Sequence, residues 1–418
     1  MVLYVQTEPS QCLFPEPERT TSVQARSASM GPDRLRGKVQ FLEQDVMREG
    51  VTDLSPSLTN VDDETTRELT RIWEQLLGIR PIRLDQNYFD LGGDSPLAVQ
   101  LFAQIEKAFK VKLPLATLFE APTIEELAGV LRREASTSSW SPLVAIQPAG
   151  SRPPFFCMHP HGGNVLIYRE LSRHLGSDQP FYGLQSQGLD GSRAPLTRVE
   201  DMAALYVKQI RKVQSHGPYL LGGYCMGGTI AFEVAQQFQA EGERVALLAL
   251  FDTINGSKFP QPSIWETSYY NCQRLMFHVA NVLSLDLAEK VKFIREKIKS
   301  LRGRIPVWRS TLLDKLRKNP RTVSSESRAL AQIWQGNLSA SLNYVPKPYP
   351  GVIMDFRPLK QYRGYDKPEL KWDRLAQGGQ EIVVLPVNAP GMLAEPFVKH
   401  LAAALRRSID GTISRGQA

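Results

Sequence analysis

Strand and helix patterns alternate from residue 141 to about residue 410, and this alternation constrains the fold more than any other feature of the sequence. The segment at 245–251 (VALLALF) is apolar without a break, as expected for a strand that is buried on both faces of a sheet. Further strand patterns begin near Pro154, Tyr219, Val352 and Glu381. The alternation predicts a mostly parallel sheet with helices on both faces.

Residues 258–345 interrupt this alternation with amphipathic helical patterns, which predict a helical insertion over the sheet. Basic side chains are frequent between Lys290 and Arg321 and supply much of the formal net charge of +7. Two interpretations stay open, a solvated helix face or a surface that attracts an acidic partner such as a phosphate-bearing domain. Because no nucleic-acid-binding module is recognisable, we expect no nucleic-acid partner.

The remaining sequence divides into three segments before the predicted sheet domain. Residues 1–60 show no sustained apolar period and predict a disordered extension. Apolar residues at helical spacing predict a small helical bundle over 61–135, in which Thr123, with Glu126 three residues later, is the predicted N-cap of one helix. A polar linker at 136–145 follows. The sheet domain is then expected over 146–410, with the helical insertion at about 258–345.

Composition favours a globular protein without a membrane span, because 42% of the residues are hydrophobic, 22% are charged and no apolar run reaches about 18 residues. The start of the chain has no basic region followed by an apolar core, so we expect no secretory signal and a cytoplasmic location. The four cysteines are scattered, which indicates reduced thiols. No second cluster of Cys or His accompanies Cys157 and His159, so no metal is expected.

Ser95 lies where a helix is expected to begin. Residues 88–97 read YFDLGGDSPL, which makes Ser95 a suitable N-cap and places Pro96 at the first helical position. Gly92 and Gly93 allow the preceding loop to turn tightly. A serine at the positive end of a helix dipole suits a phosphodiester. The alternative is an ordinary capped helix, in which the same residues have a structural role only.

A second glycine-framed motif carries a cysteine. Residues 222–228 read GGYCMGG between a strand pattern and a helix pattern, as in the G-x-S-x-G turn that presents a nucleophile, with Cys225 in place of serine. A position at a helix N-terminus predicts a lowered thiol pKa and a strong nucleophile. A buried structural cysteine is the alternative.

The segment at 61–135 resembles acyl and peptidyl carrier domains through YFDLGGDS and the stretches at 113–119 and 122–124. Residues 141–410 resemble type I thioesterases of nonribosomal peptide synthetases, which are α/β-hydrolases, through the Cys225 motif and three other segments. These are 156–164 (FCMHPHGGN), 248–253 (LALFDT) and 344–351 (YVPKPYPG). The resemblance implies a small all-α carrier bundle followed by an α/β-hydrolase domain with a helical lid insertion.

The resemblance also implies roles for individual residues. Ser95 would carry 4'-phosphopantetheine, Cys225 would be the catalytic nucleophile, and Asp252 would be the acid of its triad. In this fold one oxyanion donor comes from the loop after the first strand and the other from the residue after the nucleophile, which indicates the backbone N–H groups of His161, or Gly162, and Met226.

The expected catalytic histidine is absent. The family places it in a V-x-G-x-H-x-x-M-L stretch before the last helix, but residues 387–396 read VNAPGMLAEP. Three explanations stay open. The domain is impaired, for example slow to deacylate, or a substitute histidine such as His161 or His400 acts as the base. The third is that the sequence carries an error or a natural deletion.

These features predict a carrier–thioesterase that releases an acyl or peptidyl group by hydrolysis or cyclisation in secondary metabolite synthesis. Such an enzyme needs a phosphopantetheinyl transferase to modify Ser95. It also needs upstream synthetase modules for condensation and adenylation, because no motif in the sequence, such as a P-loop, indicates that this chain activates an acid with ATP. Two alternatives remain. One is a carrier and docking protein with an inactive hydrolase-like domain, and the other is a free esterase with an incidental helical domain.

Overall fold

The structure is a computed structural model that describes residues 2–5, 63–133, 140–255, 325–360, 372–388 and 391–417, together with Cys272, Met276, Val279 and Lys290. Its first helices form a small bundle, as predicted, and they are α1 (Glu64–Leu77), α2 (Ser95–Phe109), α3 (Thr117–Glu120) and α4 (Ile124–Arg133). Their apolar faces meet in one core that includes Trp73, Leu101 and Leu127, none of which is exposed. Burial of such faces is the main source of stability for short helices.

The predicted cap of α4 is confirmed. The hydroxyl oxygen of Thr123 accepts from the amide of Glu126 at 3.2 Å, and a carboxylate oxygen of Glu126 accepts from the amide of Thr123 at 3.1 Å. This reciprocal pair is a capping box, which satisfies two amides at the start of a helix.

Among the described residues the sheet has eight strands, and the predicted α/β architecture is confirmed. In chain order the strands are β1 (Val2–Val5), β2 (Leu143–Gln147), β3 (Phe155–Met158), β4 (Phe181–Leu184), β5 (Tyr219–Tyr224), β6 (Val245–Phe251), β7 (Ile353–Lys360) and β8 (Gln380–Asn388). Their spatial order is β1-β8-β7-β6-β5-β3-β4-β2. Every pair is parallel except β2 with β4. The carboxyl ends of β3, β5 and β6 therefore lie side by side, where open parallel sheets place their functional residues.

Helices cover both faces of the sheet. They are α5 (Arg169–Leu175), which follows a 3-10 turn at Leu166–Tyr168, then α6 (Val199–Val213), α7 (Met226–Ala240), α8 (Ser325–Asn343) and α9 (Val398–Gln417). Apolar residues of α5 and α9 pack in one core on one face, and those of α6 and α7 pack in a second core on the other. The two layers explain why β6 is apolar at every position.

Two sequence-based boundaries differ from the structure. Val2–Val5 lie in the segment predicted to be disordered but form a strand parallel to β8, because Val, Leu and Tyr favour strands and β8 offers an edge to pair with. Strand β2 begins at Leu143, inside the predicted linker. Most of the predicted insertion and basic stretch lies outside the described residues, as do residues 6–62; α8 and Lys290 are the main exceptions. Among the helices that the structure describes, none has the length and hydropathy to cross a membrane.

Candidate active site

The turn between β5 and α7 holds Cys225 in a strained backbone conformation. Cys225 is the single residue between the end of β5 at Tyr224 and the start of α7 at Met226, and its φ is 56° and its ψ is −121°. A positive φ is uncommon for a residue with a side chain, and such strain concentrates at functional sites. The amide of Cys225 donates to the carbonyl of Phe251 at 3.0 Å, which ties the turn to the end of β6. This geometry is that of a nucleophile elbow.

Two glycines of the motif are required by close backbone contacts. A Cβ atom on Gly223 would lie 2.1 Å from the carbonyl carbon of Gly227, and one on Gly227 would lie 2.2 Å from the carbonyl oxygen of Met158. Neither backbone atom can move aside as a flexible side chain would. The glycines therefore bring α7 against the ends of β5 and β3, which sets the position of the Cys225 turn.

Asp252 follows β6 at the same edge of the sheet as Cys225. Its φ is 43°, also in the left-handed region, and its amide donates to the carbonyl of Phe356 on β7 at 2.9 Å. Its carboxylate is close enough for its charge to raise the pKa of the Cys225 thiol. The structure therefore brings two of the predicted site residues together.

His161 lies against the sulfur of Cys225. Its Nδ1 atom is 3.5 Å from Cys225 Sγ, within hydrogen-bonding distance for sulfur, and its Nε2 atom is 3.3 Å from the hydroxyl oxygen of Ser341. The backbone of His161 is predicted to lie in the oxyanion loop, and its side chain is among the predicted substitutes for the missing base. Neither the motif nor its spacing shows which way this side chain points.

Helix α8 holds the loop that carries His161. The side-chain amide of Asn337 donates to the carbonyl of His161 at 2.9 Å, and the ring of Trp334 lies 5.9 Å from the imidazole, centre to centre. Asn337 and Ser341 are both buried. The sequence does not predict these contacts, because Asn337 is 176 positions away from His161 and no local pattern indicates the pairing.

The other histidine considered as a substitute lies in the last helix. His400 is half-buried near the start of α9, and its amide donates to the carbonyl of Phe397 at 3.0 Å. The loop where the family places its histidine is described up to Asn388 and again from Gly391, and Met392 after it is buried in the core. His161 is therefore the histidine that the described structure joins to Cys225.

The pKa of the Cys225 thiol is raised to about 11, mainly by burial and also by the charge of Asp252, although a hydrogen bond from the amide of Met226 lowers it. The sequence-based expectation of a lowered pKa is wrong, because the loss of solvation around the thiol outweighs the helix N-terminus. The residue is partly exposed all the same. Burial also lowers the pKa of His161, so its imidazole is neutral at pH 7.

The two predicted oxyanion donors lie on adjacent segments. Met226 is the first residue of α7, where amides lack a partner within the helix, and its N–H points to the sulfur of Cys225. The loop of His161 begins at His159, whose carbonyl oxygen would lie 3.0 Å from a Cβ on Gly227. Both segments thus border the turn of Cys225.

Tyr168 connects the two segments that frame the site. Its hydroxyl donates to the carbonyl of Met158 at 2.6 Å and accepts from the amide of Tyr224 at 3.0 Å, so it links the end of β3 to the end of β5. Tyr168 is fully buried. The sequence does not predict this role, because a tyrosine at the start of a helix gives no indication of two such hydrogen bonds.

In the helical bundle, Ser95 is the first residue of α2 rather than its cap. Asp94 is the N-cap, and its carboxylate accepts from the amide of Leu97 at 2.9 Å. The prediction that Ser95 caps the helix and that Pro96 follows at the first position is therefore wrong by one residue. Aspartate and serine are both good caps, so the sequence does not decide between them.

The loop before Ser95 is fixed against Tyr88. A Cβ on Gly93 would lie 2.3 Å from the Tyr88 ring, and the hydroxyl of Tyr88 donates to the carbonyl of Asp94 at 3.2 Å. Ser95 thus stands at the start of a helix, where the positive end of the helix dipole suits a phosphodiester. The residues present fit the attachment of phosphopantetheine.

Side chains next to the serine motif contact the sheet domain. The guanidinium of Arg169 on α5 lies 4.3 Å from the centre of the Phe89 ring and 3.6 Å from the carboxylate of Asp90. Leu166, which follows the oxyanion loop, is buried in the apolar core of the helical bundle. The helical bundle therefore contacts the segment at 166–169, which follows the oxyanion loop of the candidate active site.

One group of side chains has the composition of a metal site. Glu170, His174 and Glu395 each offer a ligand atom within 4.8 Å of the others. Nε2 of His174 lies 2.8 Å from a carboxylate oxygen of Glu395, and Arg169 and Arg173 pair with Glu170. Each of the three side chains thus already has a partner within the protein.

Comparison with known proteins gives the same two parts. Residues 67–131 match the family described as a phosphopantetheine attachment site, and residues 153–262 match the thioesterase domain family. The chain is 45% identical over 187 residues to malpinin synthetase of Mortierella alpina, a match that covers 44% of this chain and 2% of that protein. It is 41% identical over 203 residues to a dimodular nonribosomal peptide synthase of Bacillus subtilis strain 168, covering 48% of this chain and 8% of that protein.

A solved structure supports the fold. The crystal structure of a holo four-domain nonribosomal peptide synthetase bound to AMP and glycine aligns with a TM-score of 0.51 and 24% identity, over 88% of this chain and 28% of that one. The chain spans only a small part of these relatives. Helical bundle, sheet domain and family matches together identify the chain as a carrier–thioesterase didomain that is similar to parts of nonribosomal peptide synthetases.

Proposed function

We propose that this chain holds an acyl or peptidyl group on Ser95 and releases it through Cys225. The carrier domain would span 61–135, and the thioesterase domain would begin with β2 at Leu143 and end with α9 at Gln417. The proposal rests above all on one observation, the partly exposed Cys225 in a strained turn framed by glycines. A structural cysteine would not need a positive φ at this edge of the sheet.

In the proposed reaction, phosphopantetheine attached to Ser95 supplies a flexible arm whose thiol carries the acyl group as a thioester. Cys225 Sγ attacks the thioester carbonyl, a new C–S bond forms, the original C–S bond breaks, and the acyl group is then held by Cys225. The amides of His161 and Met226 would stabilise the negative charge on the carbonyl oxygen. Water, or a nucleophile within the acyl group, would attack next and give an acid or a ring.

The proposed substrate has to be prepared by other proteins. A phosphopantetheinyl transferase would modify Ser95, and synthetase modules for adenylation and condensation would load the acyl or peptidyl group. The similarity to nonribosomal peptide synthetases supports this assignment. In this proposal the chain acts at the release step of such an assembly, in secondary metabolite synthesis.

One observation favours a second function, a carrier and docking protein without turnover. The raised pKa leaves the Cys225 thiol protonated at pH 7, which by itself makes a poor nucleophile. The contact with His161 opposes this alternative, because it gives the thiol proton an acceptor.

Intact mass spectrometry tests the proposal. The protein is treated with a phosphopantetheinyl transferase and hexanoyl-CoA, and the mass added to the chain is followed with time. We expect a mass gain that Ser95→Ala abolishes, and a loss of the hexanoyl group that is much slower in Cys225→Ala. Loss of the group at equal rates in the wild type and in Cys225→Ala would overturn the role of Cys225.

A further inference from the structure

We infer that His161 is the general base for Cys225 and that Ser341 of α8 orients its imidazole, so that a histidine of the oxyanion loop replaces the one missing near the last helix. The inference rests on the proposed role of Cys225 as the nucleophile. It assigns the base to a different element of the fold from the one that the resemblance implied.

The two contacts of the imidazole define its tautomer. When the thiol donates its proton toward Nδ1 of His161, that nitrogen is the acceptor, and Nε2 carries the ring hydrogen and donates to Ser341. A hydroxyl can accept this bond without bringing a charge into the site. Ser341 thus holds Nδ1 in the form that accepts a proton.

Burial shows that these contacts with α8 are specific. Asn337 is not exposed at all and Ser341 is 2% exposed, and a buried polar side chain is costly unless it is hydrogen-bonded. Both of them bond to His161, one to its backbone and one to its ring. Two buried polar residues one turn apart therefore fix both the loop and the imidazole of the same histidine.

The groups around the site favour a neutral imidazole on His161 and a neutral thiol on Cys225 before the reaction. The titratable groups that face His161 and Cys225 in the described structure are His159, itself neutral, Tyr168, whose pKa burial raises well above its usual value, and Asp252, whose charge disfavours the thiolate. Because burial lowers the pKa of His161 and raises that of Cys225, a preformed ion pair is disfavoured. Proton transfer is then expected to accompany the attack, as in general base catalysis.

The proton balance follows from this arrangement. As Sγ of Cys225 bonds to the carbonyl carbon, its proton passes to Nδ1 of His161, and the imidazolium returns that proton to the departing sulfur. In the second half, Nδ1 takes a proton from water as the water oxygen bonds to the acyl carbon. The proton then goes to Sγ as the bond from sulfur to the acyl group breaks, which regenerates the thiol and the neutral imidazole.

Alkylation of Cys225 tests the base without any acyl substrate. The rate of modification by iodoacetamide is measured from pH 5 to pH 10 on the peptide that contains Cys225. In the wild type we expect a shoulder in the plot of alkylation rate against pH, and we expect the rate to fall below pH 6.5, where His161 becomes protonated. In His161→Gln we expect no shoulder and a rate at pH 7 that is lower by about 100-fold, the range typical of general base catalysis.

Matched variants separate His161 from other histidines. His400→Gln removes the rival substitute, and His216→Gln removes an exposed histidine that pairs with Glu243. Both should keep the shoulder and the wild-type rate. An unchanged pH profile in His161→Gln, or loss of the shoulder in His400→Gln, would overturn the inference.

Ser341 is tested as a positioning residue with hexanoyl-N-acetylcysteamine as the acyl donor. We expect Ser341→Ala to lower kcat for acylation by about tenfold with KM unchanged, to shift the shoulder in the alkylation profile, and to be rescued by Ser341→Thr. Ser339→Ala on the exposed face of the same helix is the control. Equal rates in Ser341→Ala and Ser339→Ala would contradict the role of Ser341.

The outcomes distinguish this inference from the proposed function. If acyl transfer persists in Cys225→Ala, the proposed function fails. If transfer requires Cys225 but is as fast in His161→Gln as in the wild type, the nucleophile stands and the base assignment alone is wrong.

Discussion

Nδ1 of His161 lies 3.5 Å from Sγ of Cys225, although the two residues are 64 positions apart in the chain. The contact joins the loop after β3 to the turn after β5, two strands that are neighbours in the sheet. Burial lowers the pKa of the imidazole and raises that of the thiol, so the pair is neutral at pH 7. A cysteine in this environment needs a base nearby, and the same fold that buries the thiol provides one.

Asp252 should influence the thiol through its charge. Because that charge raises the pKa of Cys225, Asp252→Asn should lower the pKa, and the alkylation rate of Cys225 at pH 9 should rise by a few-fold. The pH dependence of alkylation by iodoacetamide measures this shift. Asp201→Asn, an exposed position on α6, is the control. A pKa that rises or stays unchanged in Asp252→Asn would contradict the prediction.

Gly227 should tolerate no side chain. Gly227→Ala would place a Cβ 2.2 Å from the carbonyl oxygen of Met158, and we expect a loss of at least about 2 kcal/mol in the free energy of unfolding. Gly411→Ala is the matched control, because a Cβ at this position in α9 meets no atom within 4 Å and alanine favours helices by about 0.5–1 kcal/mol. Thermal unfolding of both variants makes the comparison, and a similar Tm for the two would refute the close contact.

Much of the fold was predictable because its signals are local. The unbroken apolar run at 245–251 gave the bounds of β6, and Thr123 with Glu126 three residues later marked the start of α4. The start of α2 was predicted one residue late, because Asp94 and Ser95 are adjacent and both suit a cap. Strand Val2–Val5 was missed because the strand that it pairs with in the described structure, β8, is far along the chain.

The candidate site was predictable only in part. Cys225 and Asp252 follow apolar strands, and that position is a local signal. The direction of the His161 side chain depends on Ser341, 180 positions away, and no sequence pattern reports such a contact. The pKa of Cys225 was predicted in the wrong direction because the sequence shows the helix start but not the side chains that bury the thiol.

His159 should make stability depend on pH. Burial lowers its pKa from 6.5 to about 4, so the folded state resists protonation that the unfolded state accepts. Stability from this residue is complete above pH 6.5 and is lost as the pH falls toward 4, by about 3 kcal/mol in total. Urea unfolding between pH 7 and pH 4.5 measures the change.

The variant His159→Gln isolates that contribution. It should be less stable than the wild type at pH 7 but should lose less stability on acidification, whereas the exposed His216→Gln should follow the wild type. Parallel pH dependences in His159→Gln and the wild type would contradict the assignment.

Arg169 should assist transfer from the carrier domain. Its contacts with Phe89 and Asp90 are each worth up to about 1 kcal/mol, so Arg169→Ala should slow the loss of a hexanoyl group from Ser95 by about fivefold. Turnover of hexanoyl-N-acetylcysteamine, which needs no carrier, should stay unchanged. Arg173→Ala, an exposed arginine on the same helix, is the control. A parallel fall in both activities would show that Arg169 acts on the thioesterase domain itself.

The central claim is that Cys225 takes the acyl group from the carrier, and the most direct test is to find that group on its sulfur. The chain loaded with hexanoyl-phosphopantetheine at Ser95 is quenched in acid at successive times, digested, and analysed by peptide mass spectrometry. We predict that the hexanoyl mass leaves the Ser95 peptide and appears on the Cys225 peptide before free acid accumulates. Release of the acid at the same rate by Cys225→Ala, with no hexanoyl mass on the Cys225 peptide of the wild type at any time, would contradict it.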